Sequence, residues 1–445
     1  MRQVISADWL LTSEGFPQQL LMSDVALVIE DGWIKERLPI ERLSGEDQKR
    51  RVHYAQSLLC PGFVNSHNHS FQSLLKGFCD DADFFTWRDQ ALYKYATVLS
   101  REDLYTGALF AFAEMLKAGI TTVCDFFYIN DQGNDNARAI MQAAEDLGIR
   151  LVFARTLYDW DGAPARFRET IDQALDNTQA LMEEINPKYA HNKLFSVLPA
   201  PHSLHGASLP LIQAGRDLAS QYDTKFHMHI AEGQYERQMM LDKYGLSPIR
   251  YLYEHDLLNE RLVGIHCVWL DDADIALMAR QQSALSYNPS SNMFLGDGIT
   301  RLREMLEAGI SVSLGTDGGC SNNRASIIEE MRMASLLQKV KWCDATVSNA
   351  EDMIISATLC GASALNLPIG SLSLNRLADI TVVDLNDLSM QPTQNMVKNL
   401  VYASQPSAIK AVYVHGKKVQ ENGQLLGVPE AKVLEKVRHT TKNWR

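Results

Sequence analysis

The stretch EMLKAGITTVC, residues 114–124, places a helical segment, a glycine and a β-rich segment directly after one another. The same order recurs in AEDLGIRLVF, residues 144–153, and in MLEAGISVSL, residues 305–314. Glycine suits the left-handed backbone conformation that commonly ends a helix, where a side chain would be strained. The three copies therefore predict repeated joints between a helix and a following strand.

Further strands are predicted for a segment that starts at Phe63 and for four short runs rich in apolar residues, 194–199, 224–229, 262–266 and 283–288. With the three strands above, they make about eight strands that alternate with helical segments. This alternation is typical of parallel βα units. We therefore predict an α/β protein whose residues 61–366 form a (β/α)8 TIM barrel.

The two ends of the chain have a different pattern. Residues 25–35 predict a β-hairpin with an Asp-Gly turn, and residues 378–385 and 409–420 predict strands after the barrel. We expect residues 1–60 and 367–445 to form one small β-sandwich domain. A short surface helix is expected in its last part, from Pro429 to Arg445.

Composition limits the classes of function. The 445 residues are 46% apolar and 22% charged, which excludes a disordered, collagen-like or coiled-coil protein. A net charge of -12 argues against nucleic acid or an anionic membrane as partner, and favours an enzyme with a small-molecule substrate. The seven cysteines form no CxxC pair, and no targeting or spanning segment is visible, so we expect a cytoplasmic protein with reduced thiols.

Two histidines mark the end of the first predicted barrel strand. His67 and His69 follow the run LLCPGFV, residues 58–64. Residues two apart on a strand point to the same face, so both imidazoles can share one metal ion. By itself, such a pair also occurs as hydrogen-bonded core or surface histidines.

Three more strand ends carry similar residues. The run HMHIAE, residues 227–232, contains His229 and Glu232, the run LVGIH ends at His266, and Asp317 follows VSLGT. Singly, an aspartate after a strand is explained as a helix N-cap, and His227 as a packing residue. Because the carboxyl ends of barrel strands meet at one face, these residues together predict an active site there.

These motifs resemble the amidohydrolase superfamily, and within it the mononuclear deaminases. The resemblance runs from about Pro61 to Asn366 and continues into GSLSLNRLADITVVD, residues 370–384. Binuclear members of the superfamily bridge two metals with a lysine at the end of the fourth strand, whereas the corresponding run here, residues 194–202, offers no lysine at its carboxyl end. The resemblance therefore favours one metal ion. The resemblance implies a site with these metal ligands: His67, His69, His229 and Asp317.

The same resemblance implies the chemistry. One divalent ion, Zn²⁺ in preference to Fe²⁺ or Mn²⁺, would lower the pKa of a water molecule to about 7. Asp317 would take the proton as this water attacks an amidine-like carbon, and His266 would stabilise the developing oxygen. Glu232 would protonate the leaving side, and the products would be a carbonyl and ammonia.

Five residues are candidates for binding the substrate. Gln72 resembles a glutamine of guanine-, 8-oxoguanine-, isoxanthopterin- and formiminoglutamate-type deaminases, although a solvated loop amide is its alternative interpretation. The others can stack on a planar substrate or hold a polar group of it, or else pack the barrel rim. They are Trp87, Arg88, Tyr128 and His202.

The motifs point to two groups of relatives. FTWR, residues 85–88, resembles formiminoglutamate deiminases, whereas LGTDGGCSNN, residues 314–323, resembles deaminases of adenosine derivatives, oxopurines and triazines. His205 stands where the formimino group has a basic residue that binds the substrate carboxylate, which argues against a dicarboxylate amino acid. We therefore expect a hydrolytic deaminase of an aminated heterocycle of the oxopurine, pterin or triazine type.

Other functions compatible with these motifs are hydrolysis of an acyclic formimino or guanidino compound, dechlorination of a triazine, and a catalytically silent scaffold barrel. The intact set of predicted ligands argues against the scaffold. By resemblance alone, a homodimer or larger homo-oligomer is expected.

Overall fold

Parallel strands close into the predicted barrel in the computed structural model, which describes residues 1–14 and 20–444. Within these residues the barrel has eight strands, numbered here in chain order, and the eighth is interrupted. They are Phe63–His69, Ile120–Phe127, Arg150–Leu157, Phe195–Pro201, Phe226–Ile230, Leu262–His266, Ala284–Tyr287 and the pair Val312–Leu314 with Asp317–Gly318. The predicted α/β barrel is confirmed.

Two seams join the halves of the barrel. Between the fourth and fifth strands, Ser203 pairs with His229, whose backbone N–H donates to His202 O at 3.0 Å. Between the eighth and first strands, Asp317 pairs with Asn68. His229 and Asp317, which belong to the candidate site described below, thus lie at the two seams, where the closure of the barrel fixes their positions.

The three glycines that predict helix-to-strand joints have the left-handed backbone expected of them. Gly119, Gly148 and Gly309 have φ of 82°, 79° and 81°. They follow the helices Arg101–Lys117, Asp135–Leu147 and Leu302–Glu307. Each chain reversal therefore leads from the outer helical layer back into the barrel.

The helices surround the barrel and connect its strands. Further α-helices are Gly45–Arg50, Phe84–Trp87, Lys94–Ala96, Ile171–Lys188, Leu209–Gln221, Gln234–Tyr244, Pro248–Glu254, Asp272–Arg280, Pro289–Phe294, Ile327–Trp342, Ala350–Ile355, Gly361–Ala364, Met396–Tyr402 and Glu430–Thr441. Short 3₁₀ segments are Ile40–Arg42, Ser70–Leu75, Ala165–Phe167, Leu388–Met390, Thr393–Asn395 and Pro406–Ala408, and π-helical segments are Arg88–Tyr93 and Ser356–Cys360.

Both ends of the chain contribute to a second sheet. Its strands are Arg2–Leu11, Leu21–Ser23, Val25–Glu30, Trp33–Pro39, Arg51–Pro61, Ile380–Asp384, Ile409–Val414, Lys417–Glu421 and Gln424–Leu425. The predicted hairpin turns at Asp31 and Gly32, which both have positive φ. Leu27 and Ile29 from the first half share one apolar cluster with Ile380 from the second, so both ends of the chain contribute to one core on this sheet.

The last helix, Glu430–Thr441, follows Pro429 and packs on Arg101–Lys117. Glu430 Oε2 accepts from Lys117 Nζ at 2.6 Å, and Val433 is buried beside this contact. Among residues 1–14 and 20–444, no helix is both long enough and apolar enough to span a membrane.

A buried ion pair connects the barrel to the second sheet. Arg150 in the third barrel strand donates through Nε and Nη2 to Asp379, at 2.7 and 2.8 Å, and both side chains are inaccessible to solvent. Removal of one partner would leave an uncompensated charge in the interior. This pair therefore couples the stability of the two parts.

We expect Asp379→Ala to lower the free energy of unfolding by about 3–5 kcal/mol, because it leaves the Arg150 guanidinium buried without its carboxylate. Glu184→Ala is the control. It removes a surface partner of Arg138 that is 45% exposed, and should cost less than about 1 kcal/mol. Urea unfolding followed by circular dichroism measures both, and equal losses in the two variants would contradict the prediction.

Candidate functional site

The predicted metal ligands and proton-transfer residues meet at the carboxyl end of the barrel. His67 and His69 end the first strand, His229 lies in the fifth, His266 ends the sixth and Asp317 opens the last part of the eighth. Glu232 follows the fifth strand by two residues. All six side chains are buried, so they form the floor of a site deep in the barrel mouth.

Three imidazoles and a carboxylate are spaced to hold one cation. The ligand atoms of His67, His69 and His229 lie within 4.8 Å of one another. His67 Nε2 and His69 Nε2 are 3.4 and 3.3 Å from Asp317 Oδ1. These separations leave room for an ion about 2 Å from each donor.

The protonation of the histidines fits this role. Burial lowers the pKa of His67 to about 3, so its imidazole is neutral, and neither ring nitrogen has a hydrogen-bond partner among the described residues. His69 Nδ1 lies 2.6 Å from Phe126 O and His229 Nδ1 lies 3.0 Å from His202 O. These carbonyls require the protons on Nδ1, so the Nε2 lone pairs remain free for a metal.

The Asp317 carboxylate is held by its neighbours on both oxygens. Ser291 Oγ donates to Oδ2 at 2.6 Å, and the Gly318 N–H donates to Oδ1 at 2.8 Å. Burial opposes ionisation, but contact with His67 and the nearby imidazoles keeps the pKa of Asp317 well below its usual range. The site thus presents an ionised carboxylate beside three neutral imidazoles, which suits one divalent cation.

His266 is oriented by an amide. Asn292 Nδ2 lies 3.0 Å from His266 Nδ1 and 3.4 Å from Asp297 Oδ2, so the amide nitrogen faces two acceptors. His266 Nδ1 therefore accepts, and the proton of the neutral ring lies on Nε2. That atom is 3.4 Å from Glu232 Oε1 and 3.8 Å from Asp317 Oδ2.

Glu232 is poised to act as an acid. Its side chain is buried, and desolvation, followed by the negative charges of Asp297 and Asp317, raises its pKa well above the usual value. A carboxyl group that keeps its proton near neutral pH can donate it to a substrate. Glu232 and His266 thus form a pair of proton donors on one side of the ligands.

A cavity of about 740 Å³ opens above these residues. All five predicted substrate-binding residues line it: Gln72, Trp87, Arg88, Tyr128 and His202. Gln72 Nε2 donates to Tyr128 Oη at 2.8 Å, and Trp87 Nε1 donates to Cys320 O at 2.8 Å. The Arg88 guanidinium lies over the Tyr93 ring, 5.1 Å from its centroid. The five candidate substrate-binding residues therefore line the same cavity.

Several residues that shape the site are not among the predicted ones. Ser291, Asn292 and Asp297 come from the helix Pro289–Phe294 and the loop after it. The signal was a run of polar residues directly after the seventh strand, which also fits ordinary helix capping. His227 is not among the ligands: its Nδ1 lies 3.7 Å from Cys124 Sγ and its Nε2 lies 3.1 Å from Ala364 O, so it is the packing residue that the alternative interpretation describes.

The sequence matches known proteins over most of its length. The model of the amidohydrolase family matches residues 58–419. A protein of Syntrophobacter fumaroxidans named 5-methylthioadenosine/S-adenosylhomocysteine deaminase is 32% identical over 94% of this chain and 93% of its own. A protein of the same name from Pyrococcus horikoshii is 31% identical over 86% and 87%.

Solved structures show the same architecture. An adenosine deaminase from Xanthomonas campestris with bound zinc has a TM-score of 0.88 and 27% identity, over 99% of this chain and 98% of that one. Atrazine chlorohydrolase TrzN from Arthrobacter aurescens, complexed with zinc, has a TM-score of 0.90 over 98% and 99%, and at 22% identity this likeness concerns the fold. The chain belongs to the amidohydrolase family.

Proposed function

We propose that this protein is a zinc-dependent deaminase that replaces the exocyclic amino group of an adenine-type heterocycle by a carbonyl and releases ammonia. The observation that carries the proposal is the meeting of four ligand side chains with the Glu232–His266 pair at one barrel mouth. Its family and its deaminase relatives make the chain a hydrolase of carbon–nitrogen bonds other than peptide bonds.

The ligands of a single divalent ion would be His67, His69, His229 and Asp317. Zinc is favoured because it accepts nitrogen and oxygen donors in this arrangement, and because the Xanthomonas deaminase is described with zinc. When bound, the ion supplies a Lewis acid that lowers the pKa of water to about 7.

The two oxygens of Asp317 have different surroundings. Oδ1 faces His67 and His69, whereas Oδ2 faces His266 and accepts from Ser291. We assign Oδ2 as the atom that takes the proton of the attacking water. His266 Nε2 then donates to the oxygen that develops negative charge on the substrate carbon.

Glu232 completes the proton transfers. Its protonated carboxyl would donate to the ring nitrogen beside the reacting carbon, and the proton taken by Asp317 would pass to the departing amine. The hydroxyl group added to the reacting carbon would return its proton to Glu232 as the carbonyl forms and ammonia leaves, so the ring nitrogen keeps its proton and both carboxyl groups regain their starting protonation states.

The preferred substrate differs from the oxopurine or pterin that the motifs suggest. The relatives named above are deaminases of adenosine derivatives, which carry an amino group on an amidine carbon of adenine. Gln72, Trp87 and Tyr128 form a polar and aromatic wall that suits a planar ring. We place the chemistry in the barrel of residues 61–366, beside the small domain of residues 1–60 and 367–445.

We place this deaminase in the cytoplasm as a homo-oligomer. The seven cysteines are free thiols, which agrees with a reducing compartment. A homodimer or larger assembly stays a prediction that sedimentation of the purified chain can test.

We expect wild-type protein to hold about one zinc ion per chain, and His229→Asn to lose most of it, because one of the ligands is removed. His227→Asn is the matched control, since His227 lies two residues earlier on the same strand and its ring nitrogens face Cys124 and Ala364 instead of the metal ligands. Metal analysis after dialysis against a weak chelator measures the stoichiometry. Equal loss from both variants would contradict the ligand assignment.

We expect ammonia release from adenosine or 5′-methylthioadenosine, and Glu232→Gln should lower kcat by about 10²–10⁴-fold without loss of metal, because the proton donor is absent. Glu236→Gln is the control. Burial raises the pKa of Glu236 to about 8, so its protonated form resembles glutamine, and it lies outside the cavity lining.

The compounds tested as substrates should also include guanine, a pterin, a chlorotriazine and formiminoglutamate. Turnover of one of these in preference to every 6-aminopurine would replace the adenine-type assignment. Wild-type activity retained in Glu232→Gln would remove Glu232 from the mechanism.

A further inference from the structure

Two polar atoms in the outer wall of the cavity are buried without a partner. His205 Nδ1 and Tyr235 Oη make no hydrogen bond within the described residues, and both side chains line the cavity. Their rings are in edge contact, with centroids 5.7 Å apart. We call this pair of residues the outer subsite. A buried polar atom without a partner is costly, so a hydrogen bond from a ligand group to either atom would be favourable.

The position of the outer subsite follows from a row of imidazoles. The His202 ring is stacked on that of the proposed ligand His229, with centroids 5.0 Å apart, and it is also in edge contact with the His205 ring, with centroids 5.8 Å apart. A substrate whose reacting carbon faces His229 therefore places its ring system along His202. A substituent on the far side of that ring system reaches His205 and Tyr235.

The side chains of the outer subsite are held in place. The Tyr235 ring contacts Phe84 and Phe85, at centroid distances of 5.4 and 5.2 Å. The His202 imidazole beside them is fixed as well, because its Nδ1 lies 2.9 Å from Ser203 Oγ. Prearranged groups of this kind bind a ligand with little loss of side-chain freedom.

The two side chains of the outer subsite, His205 and Tyr235, are uncharged hydrogen-bonding groups. Burial, with a smaller effect of Arg88, lowers the pKa of His205 to about 4, so its imidazole is neutral. Of the charged side chains that line the cavity, Arg88 Nε donates to Asp89 at 2.8 Å, and Asp159 accepts from the Ser208 N–H at 2.7 Å, so these two already have partners. A neutral imidazole and a phenol each offer one donor and at least one acceptor.

We propose that the outer subsite binds the hydroxyl groups of an uncharged, sugar-like substituent on the aminated ring. This inference rests on the proposed function and specifies the part of the substrate that does not react. A hydroxyl group both donates and accepts, so a pair of hydroxyls can satisfy the two orphan atoms. His205 and Tyr235 are thus specificity-determining residues.

Binding to the Glu232→Gln chain in the presence of zinc tests this inference, because the ligand is not consumed. Calorimetry should give adenosine at least about tenfold tighter binding than 2′,3′-dideoxyadenosine. Tyr235→Phe and His205→Phe, each added to that chain, should reduce this ratio by about three- to tenfold. Tyr253→Phe, an exposed tyrosine outside the cavity lining, is the control and should keep the ratio.

Equal binding of the two nucleosides, or an unchanged ratio in both variants, would overturn the inference. Tighter binding of adenosine 5′-monophosphate than of adenosine would overturn the assignment to an uncharged group. Turnover by the wild-type chain separates the two proposals. If adenosine is deaminated but the two nucleosides bind equally, the outer subsite is contradicted and the proposed function stands. If binding depends on the hydroxyl groups but no ammonia is released, the proposed function is contradicted and the outer subsite stands.

Discussion

The Asp317 carboxylate has to remain ionised in a place where it is only 6% exposed to water. Burial of a single negative charge is strongly unfavourable unless hydrogen bonds and a positive charge compensate it. Ser291 and the Gly318 N–H supply the hydrogen bonds. The surrounding imidazoles cannot supply a full charge, because burial lowers the pKa values of His67, His69 and His229 and keeps them neutral. A bound cation resolves this imbalance, and the same cation supports the chemistry.

The backbone conformation at the strand ends of the site is also unfavourable by itself. Asp317, His266 and Ala231 have φ of 59°, 68° and 50°, in the left-handed region that residues with side chains seldom adopt. Such residues cost of order 1–3 kcal/mol each and persist only where the surroundings fix them. Here the parallel ladders end, and the sharp turns bring the Asp317, His266 and Glu232 side chains to the barrel mouth. The regular strands below supply the stability that offsets this local cost.

The part of this arrangement that follows strand periodicity could be predicted from the sequence. The helix-stopping Gly119, Gly148 and Gly309, the HxH pair and the residues at strand ends fix the barrel and the inner site, because period two determines which face a side chain takes. Asn292 and Asp297 were not predicted, because Asn292 acts through a hydrogen bond to His266, 26 residues away, and Asp297 acts through Asn292. Local sequence does not specify such a contact, since the same polar residues also cap helices.

The substrate class was the least predictable feature, for a related physical reason. The outer wall of the cavity comes from the segment around Phe84–Trp87 and from His205 and Tyr235, which lie outside the barrel strands. Loop and helix residues are not constrained by the ladder, so their side chains can change without loss of the barrel. The relatives are consistent with this division, because an adenosine deaminase and an atrazine chlorohydrolase share this fold with TM-scores of 0.88 and 0.90. In the proposed function, the reacting carbon would be held by residues at the strand ends, and the substituent would be bound by the connecting segments, so one barrel could keep its chemistry while its substrate varies.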